Sequence, residues 1–196
     1  MHSLRSNLVV LASLLLAGAS LGQSRQSRPA NSFAQPFGIP LNTIIVFGDQ
    51  YNGGDELYNV KITVAEVVRG EKAWQMVKAA NAENVSPGAG MEYLLARVKF
   101  EFSARNRPEH YNYSLEPSQF SAMSATTEPY AVATLAGPVK PELRATLHDG
   151  DWADGWVAFL VLRSDHTPLM NFREDVGSVI HQGDAHIFKL YDGRHR

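Results

Sequence analysis

A chain of 196 residues, 44% hydrophobic and 19% charged, is long enough to bury one full core without covalent staples. Its formal net charge of −2, with no block of like charges, excludes bulk electrostatic attraction to nucleic acid or to an anionic membrane. It has no cysteine, which excludes disulfides, thiolate metal sites and the lipid attachment of a bacterial lipoprotein.

Arg5 precedes an apolar run, Leu8 to Leu16, and small residues follow. Ala17-Gly18-Ala19 fits the small-x-small cleavage rule, and Ser20-Leu21-Gly22 is a second match. Residues 1–22 therefore read as a secretory signal peptide, with a core too short for a comfortable membrane span. The expected location is secreted or extracytoplasmic, at the cell surface or in the periplasm, with no membrane span after cleavage. Residues 23–40 are rich in Ser, Gln, Arg, Asn and Pro, the composition of a flexible linker. Phe33, Phe37 and Ile39 are its exceptions and are candidates to dock on a domain edge.

The domain is expected over residues 41–192. Thr43 to Phe47 is a short β-branched run and reads as the first strand. Gly48 to Glu56 is a turn cluster. In Asn59 to Val68, Val60, Ile62 and Val64 alternate with Lys61 and Thr63, and the phase then slips at Ala65-Glu66-Val67-Val68. A slip of one residue marks a β-bulge or a strand end. Glu71 to Ala80 is the one convincing helical segment, with Ala73, Trp74, Val77 and Ala80 in a stripe.

Glu92 to Ser103 has the longest clean alternation. Leu94, Ala96, Val98, Phe100 and Phe102 share one face; Tyr93, Arg97, Lys99 and Glu101 share the other, with Leu95 as the exception. This is the pattern of a central strand with one face on a core. Ala104 to Glu116 is polar, contains Pro108 and reads as a connection. Short strands are expected near Gln119 to Ser124, Tyr130 to Thr134 and Leu143 to Leu147, with an irregular stretch at Pro138 and Pro141. Trp152 to Leu162 is apolar on both faces past Gly155, which predicts a strand covered on both sides or central to its sheet. Leu169 to Phe172 and Ala185 to Leu190 close the set, and residues 193–196 should fray. About eight or nine short strands between turn signals predict an all-β antiparallel sandwich or barrel, with one short helical insertion near residues 71–80.

The order of segments resembles a family of secreted bacterial immunoglobulin-like domains of unknown function, akin to a small secreted mycobacterial antigen. The matching pieces are Val67-Val68-Arg69-Gly70 with Ala73-Trp74, then Asn81 and Asn84, then Gly90-Met91-Glu92-Tyr93-Leu94. Leu115-Glu116-Pro117-Ser118-Gln119-Phe120, Leu143, Asp149-Gly150-Asp151, Gly155-Trp156-Val157-Ala158-Phe159 and Pro168-Leu169 follow in order. His148-Asp149-Gly150 departs from the family's proline-glycine before the acidic turn. The resemblance implies an immunoglobulin-like β-sandwich outside the cytoplasm; it supplies no activity and no catalytic residue.

No catalytic residue, cofactor or metal ligand set is assigned from the residues. Asp149, Asp151 and Asp154 could offer oxygens to calcium. Their spacing is not that of the helix–loop–helix calcium site, and Asp and Gly favour turns in any case. His181 and His186 with Asp184 could hold zinc only if the Gly183 turn brought them together. No nucleophile elbow or phosphate loop is present. Trp74, Trp152 and Trp156 with Tyr93 and Tyr111 are candidates for an exposed aromatic patch, against the alternative that Trp74 and Trp156 pack inside. Asn84-Val85-Ser86 and Asn112-Tyr113-Ser114 match the glycosylation sequon. The expected function is a non-catalytic binding or interaction module with an extracytoplasmic protein or glycan partner. The alternatives are a structural envelope or cell-surface protein, and an extracytoplasmic enzyme, which requires a concave pocket with converging titratable groups.

Overall fold

The structure, a computed structural model, describes residues 32–47, 56–105, 112–173 and 186–192. Its organising element is the strand of clean alternation, here Met91–Ala104 (β3). Leu41–Phe47 (β1) and Glu56–Arg69 (β2) precede it, with the helix Gly70–Ala80 (α1) between β2 and β3. Tyr113–Leu115 (β4), Phe120–Met123 (β5), Ala145–Leu147 (β6), Trp152–Leu162 (β7), Leu169–Phe172 (β8) and His186–Lys189 (β9) follow. β1, β2, β3 and β7 form one antiparallel sheet in that order, so β3 is central. β4 pairs with β6, and β8 sits between β5 and β9.

Leu94, Ala96, Val98, Phe100 and Phe102 all enter one buried core. Tyr58, Val60, Ile62 and Val64 of β2 and Val157, Phe159 and Val161 of β7 join them from the same sheet face. Tyr113, Leu115, Phe120, Leu147, Met170, Phe172 and Phe188 come from the small sheets opposite. Two layers of strands closed over one core make a β-sandwich. The phase slip in β2 is a bulge: Val64 pairs with Val98 and Glu66 with Arg97, leaving Ala65 over. Past it Val67 packs on the main core and Val68 turns to the other face.

That other face has its own smaller core. Ala73 and Val77 of α1 are buried with Val68, Tyr93, Leu95, Val139 and Trp156. Leu95, the exception in β3, and its neighbour on that face, Tyr93, are therefore the positions beneath the helix. Met76, rather than the exposed Ala80, joins the helical stripe at this contact. Gly70 makes the strand-to-helix turn at φ +67°, a backbone conformation that glycine tolerates best. At the other end Asn84 holds the helix to the 130–143 segment. Its amide N–H groups donate to Val77 O at 2.7 Å and Gly137 O at 2.9 Å, and its Oδ1 accepts from Gly137 N–H at 3.2 Å. The buried, bonded amide is not available for glycosylation. Asn84→Ala should cost about 2–3 kcal/mol by stranding these backbone groups. A denaturant titration checks this, and a loss below about 0.5 kcal/mol, within the range of ordinary surface substitutions, would contradict it.

Several elements differ from expectation. The polar stretch read as a connection contains β4. Residues 130–134 form a single isolated bridge, Val132 with Phe159, and no strand. β7 is covered on both faces, as its apolar residues require, yet it stands at the sheet edge rather than in the middle. Residues 141–143 run along that edge: Trp156 N–H donates to Pro141 O at 2.7 Å and Leu143 N–H to Trp156 O at 3.2 Å. Within the stretch read as linker, Ala34 is buried, Gln35 N–H donates to Ile187 O at 2.7 Å, and Phe37 packs on the main core. Phe33 and Ile39 stay exposed. The signal segment, the 48–55 turn and the terminal 193–196 lie outside the described residues.

Candidate functional site

Side chains of alternate residues share a face of a sheet, so strand register sets which of them meet. On the outward face of the four-stranded sheet, register aligns them in cross-strand rows. Ile44, Asn59 and Ser103 form one. Asn42, Lys61, Glu101 and Trp152 form the next, Thr63, Lys99 and Asp154 the third, and Glu66, Arg97 and Trp156 the fourth. α1 and the 130–139 segment cover the face from Trp156 onward. The other rows are open to solvent, and a shallow groove of about 650 Å³ crosses them, bounded by Asn42, Lys61, Lys99, Glu101 and Trp152.

The charges of this open half are paired with one another. Lys61 Nζ donates to Glu101 Oε2 at 3.1 Å, and Lys99 Nζ lies 2.7 Å from Glu101 Oε1. Arg97 donates two bonds to Asp154, at 2.7 and 3.1 Å. Lys99 first, then Lys61, hold the Glu101 carboxyl below the usual carboxylate range. The lowered value means the pairing persists at neutral pH and is lost only as pH falls through it. Lys99 Nζ also sits 5.8 Å from the Trp152 ring centre, a cation–π contact with an indole still 62% exposed. Neither the Asn42 nor the Asn59 amide has a side-chain hydrogen bond among the described residues.

The three candidate calcium ligands go to separate partners. Asp149 Oδ1 accepts from Ala104 N–H at 2.7 Å, closing the turn onto the end of β3. Asp151 Oδ2 accepts from His148 N–H at 2.8 Å, and that bond holds its carboxyl below the ordinary value. Asp154 is the partner of Arg97. Among the described residues no group of three or more acidic, His or Cys side chains converges as a metal site does. His181 lies outside the described residues; His186 Nε2 is 3.4 Å from Thr43 Oγ1. Of the aromatic candidates, Trp74, Tyr93 and Trp156 pack together in the smaller core at α1, away from Trp152. Trp74 stacks on Tyr93 with ring centres 5.9 Å apart, Trp156 is buried beneath α1, and Tyr111 lies outside the described residues. Trp152 alone of the three tryptophans is exposed.

A second polar group ties the opposite end of the sheet together. Arg69 donates to Glu92 Oε1 at 2.6 Å and to Asp165 O at 2.8 Å, and Tyr130 OH donates to Asp165 Oδ2 at 2.6 Å. Burial, then the Asp165 bond, push the Tyr130 phenol well above the usual tyrosine range. It stays protonated and the bond stays whole below that range. Each member is consumed in joining β2, β3 and the turn after β7. Beside it an apolar cleft of about 350 Å³ lies between β5, β7 and residues 130–139. Its titratable lining groups are Tyr130, locked by Asp165, and Glu142.

The fold and this surface define an antiparallel β-sandwich whose main sheet is half roofed by a helix and half open, with an exposed indole on the open half. No family model matches the chain, and no curated protein matches it. Among solved structures it is similar to the crystal structure of MPT63, a secreted protein from Mycobacterium tuberculosis, at 15% identity and a TM-score of 0.42. The match covers 75% of this chain and 92% of that one. A likeness of that size carries no role across, and the sandwich rests on the strands and core described above. The family likeness read in the sequence stays a resemblance. Among the described residues no helix is long and apolar enough to cross a membrane.

Proposed function

We propose that the chain is a secreted, non-catalytic binding module that presents the open half of its main sheet to a partner outside the cytoplasm. The exposed Trp152 carries this reading. A large aromatic ring in contact with Lys99, beside a groove and among paired polar side chains, is a low-entropy anchor for a ligand. The signal-peptide pattern of residues 1–22 supports the location. The groove's titratable groups neutralise one another instead of converging on a reacting atom, which favours binding over catalysis.

The test is capture from envelope and secreted fractions of the producing cells, with the full chain and its Trp152→Ala and Val132→Ala variants as baits. Val132 is 85% exposed and lines the apolar cleft, outside the open half of the sheet. Trp152→Ala is expected to lose the captured material while melting within about 2 °C of the parent, since exposed positions shift stability little. Val132→Ala should retain it. Equal capture by all three baits would discard the sheet face as the binding surface.

A further inference from the structure

The chemistry of the open face narrows its ligand, on the reading that this face binds. We infer that it takes a neutral saccharide chain laid across the strands, stacked on Trp152 and hydrogen-bonded along the row that runs from Trp152 to Asn42.

Charge is the first discriminator. Within the groove Lys61 and Lys99 stand against Glu101 and Asp151, and Glu101 already holds both lysines. Such a surface has no excess potential to attract a polyanion, so nucleic acid, anionic lipid and sulfated or uronic glycans gain nothing there. A neutral ligand matches it.

Apolar surface is the second discriminator. A protein partner needs a contiguous apolar centre ringed by polar groups. Among the described residues of this open half, the two large exposed apolar side chains are Trp152 on β7 and Ile44 on β1, at opposite edges of the sheet. Three strand spacings, about 14 Å, separate those edges, and charged residues lie between them. The row is amphipathic end to end rather than apolar in the middle.

A sugar ring has the complementary character. One face is a patch of C–H groups, whose slightly positive hydrogens suit the negative face of an indole. Its edge carries hydroxyls that both donate and accept. Asn42 and Asn59 each offer donor and acceptor groups with no side-chain hydrogen bond of their own among the described residues. Glu101 and the lysines keep spare lone pairs and N–H groups after pairing with each other. Because these pairs and the Lys99–Trp152 contact already restrain the side chains, less freedom is lost on binding.

The experiment is calorimetric and fluorescence titration of the purified full chain with soluble neutral hexasaccharides: cellohexaose, xylohexaose, mannohexaose and chitohexaose. A heparin hexasaccharide serves as the anionic probe. At least one neutral probe is expected to bind, with affinity unchanged within about twofold between low and high NaCl. Trp152→Ala should weaken it at least ~tenfold, and Val132→Ala should not. Binding that survives Trp152→Ala, or binding of the heparin probe alone with strong salt dependence, overturns the inference. If no neutral probe binds but capture from cell fractions still depends on Trp152, the saccharide falls and the sheet face stands. If neither occurs, both fall.

Discussion

Gly155→Ala is expected to lower the melting midpoint by about 10 °C or more, the equivalent of about 3–5 kcal/mol in a domain of this size. A Cβ on Gly155 would lie 2.5 Å from Leu143 N, 2.6 Å from Glu142 C and 2.7 Å from Glu142 O. All three are backbone atoms, so no side-chain rotation relieves the clash. Residues 141–143 must lift from β7, breaking the bonds from Trp156 N–H to Pro141 O and from Leu143 N–H to Trp156 O. Leu143, fully buried, loses its seat with them. Thermal melting decides the matter: a variant within about 2 °C of the parent shows that the edge contact is dispensable.

Phe100→Ala should be as damaging, at about 4 kcal/mol. Phe100 is fully buried and joins the two layers of the sandwich. It stacks on Tyr113 of β4 with ring centres 5.5 Å apart and meets Phe172 of β8 edge-on at 5.6 Å. Truncation leaves a cavity between the layers and forfeits both ring contacts. Phe100→Leu should recover more than half of the loss, because it refills most of the volume. Equal losses in the two variants would mean that the rings, not the filled space, carry the stability. With no disulfide to hold the layers, either severe substitution consumes a large part of an ordinary domain's 5–15 kcal/mol.

The elements with a strong period are legible in the sequence. β3 and its inward residues follow from alternation, and the bulge at Ala65 follows from the broken phase of β2. Leu95 looked irregular only because alternation describes one partner per face; α1 adds a second apolar partner to half of the polar face, over Leu95 and Tyr93. β4 was not legible, since three residues in a polar stretch contain too little pattern. The edge position of β7 was hidden for a related reason. Both of its faces are packed, one on the main core and one beneath α1 and residues 130–139, so its composition matches that of a central strand.

The site was less legible still. Asp149, Asp151 and Asp154 drew attention because they are close in sequence. A turn and a strand then send them to a backbone amide, to His148 and to Arg97. The alternative that Trp74 and Trp156 pack inside, weighed from the sequence, is the one the structure shows, and it leaves Trp152 as the exposed indole. Its exposure depends on where α1 stops covering the sheet, and that is a fact of three-dimensional packing.

The placement of α1 between β2 and β3 has a consequence for the order of folding. The β2–β3 ladder closes through residues 70–90 alone, and the helix shortens even that path. β3 and β7 must instead close the chain from 104 to 152, at greater loop entropy. The β2–α1–β3 unit is thus the cheapest nucleus, β7 docks on it later, and residues 141–143 settle last, on an edge that exists only once β7 is in place. Gly155→Ala should accordingly leave the refolding rate nearly unchanged and appear as faster unfolding, whereas Phe100→Ala, at the centre of the early ladder, should slow refolding as well.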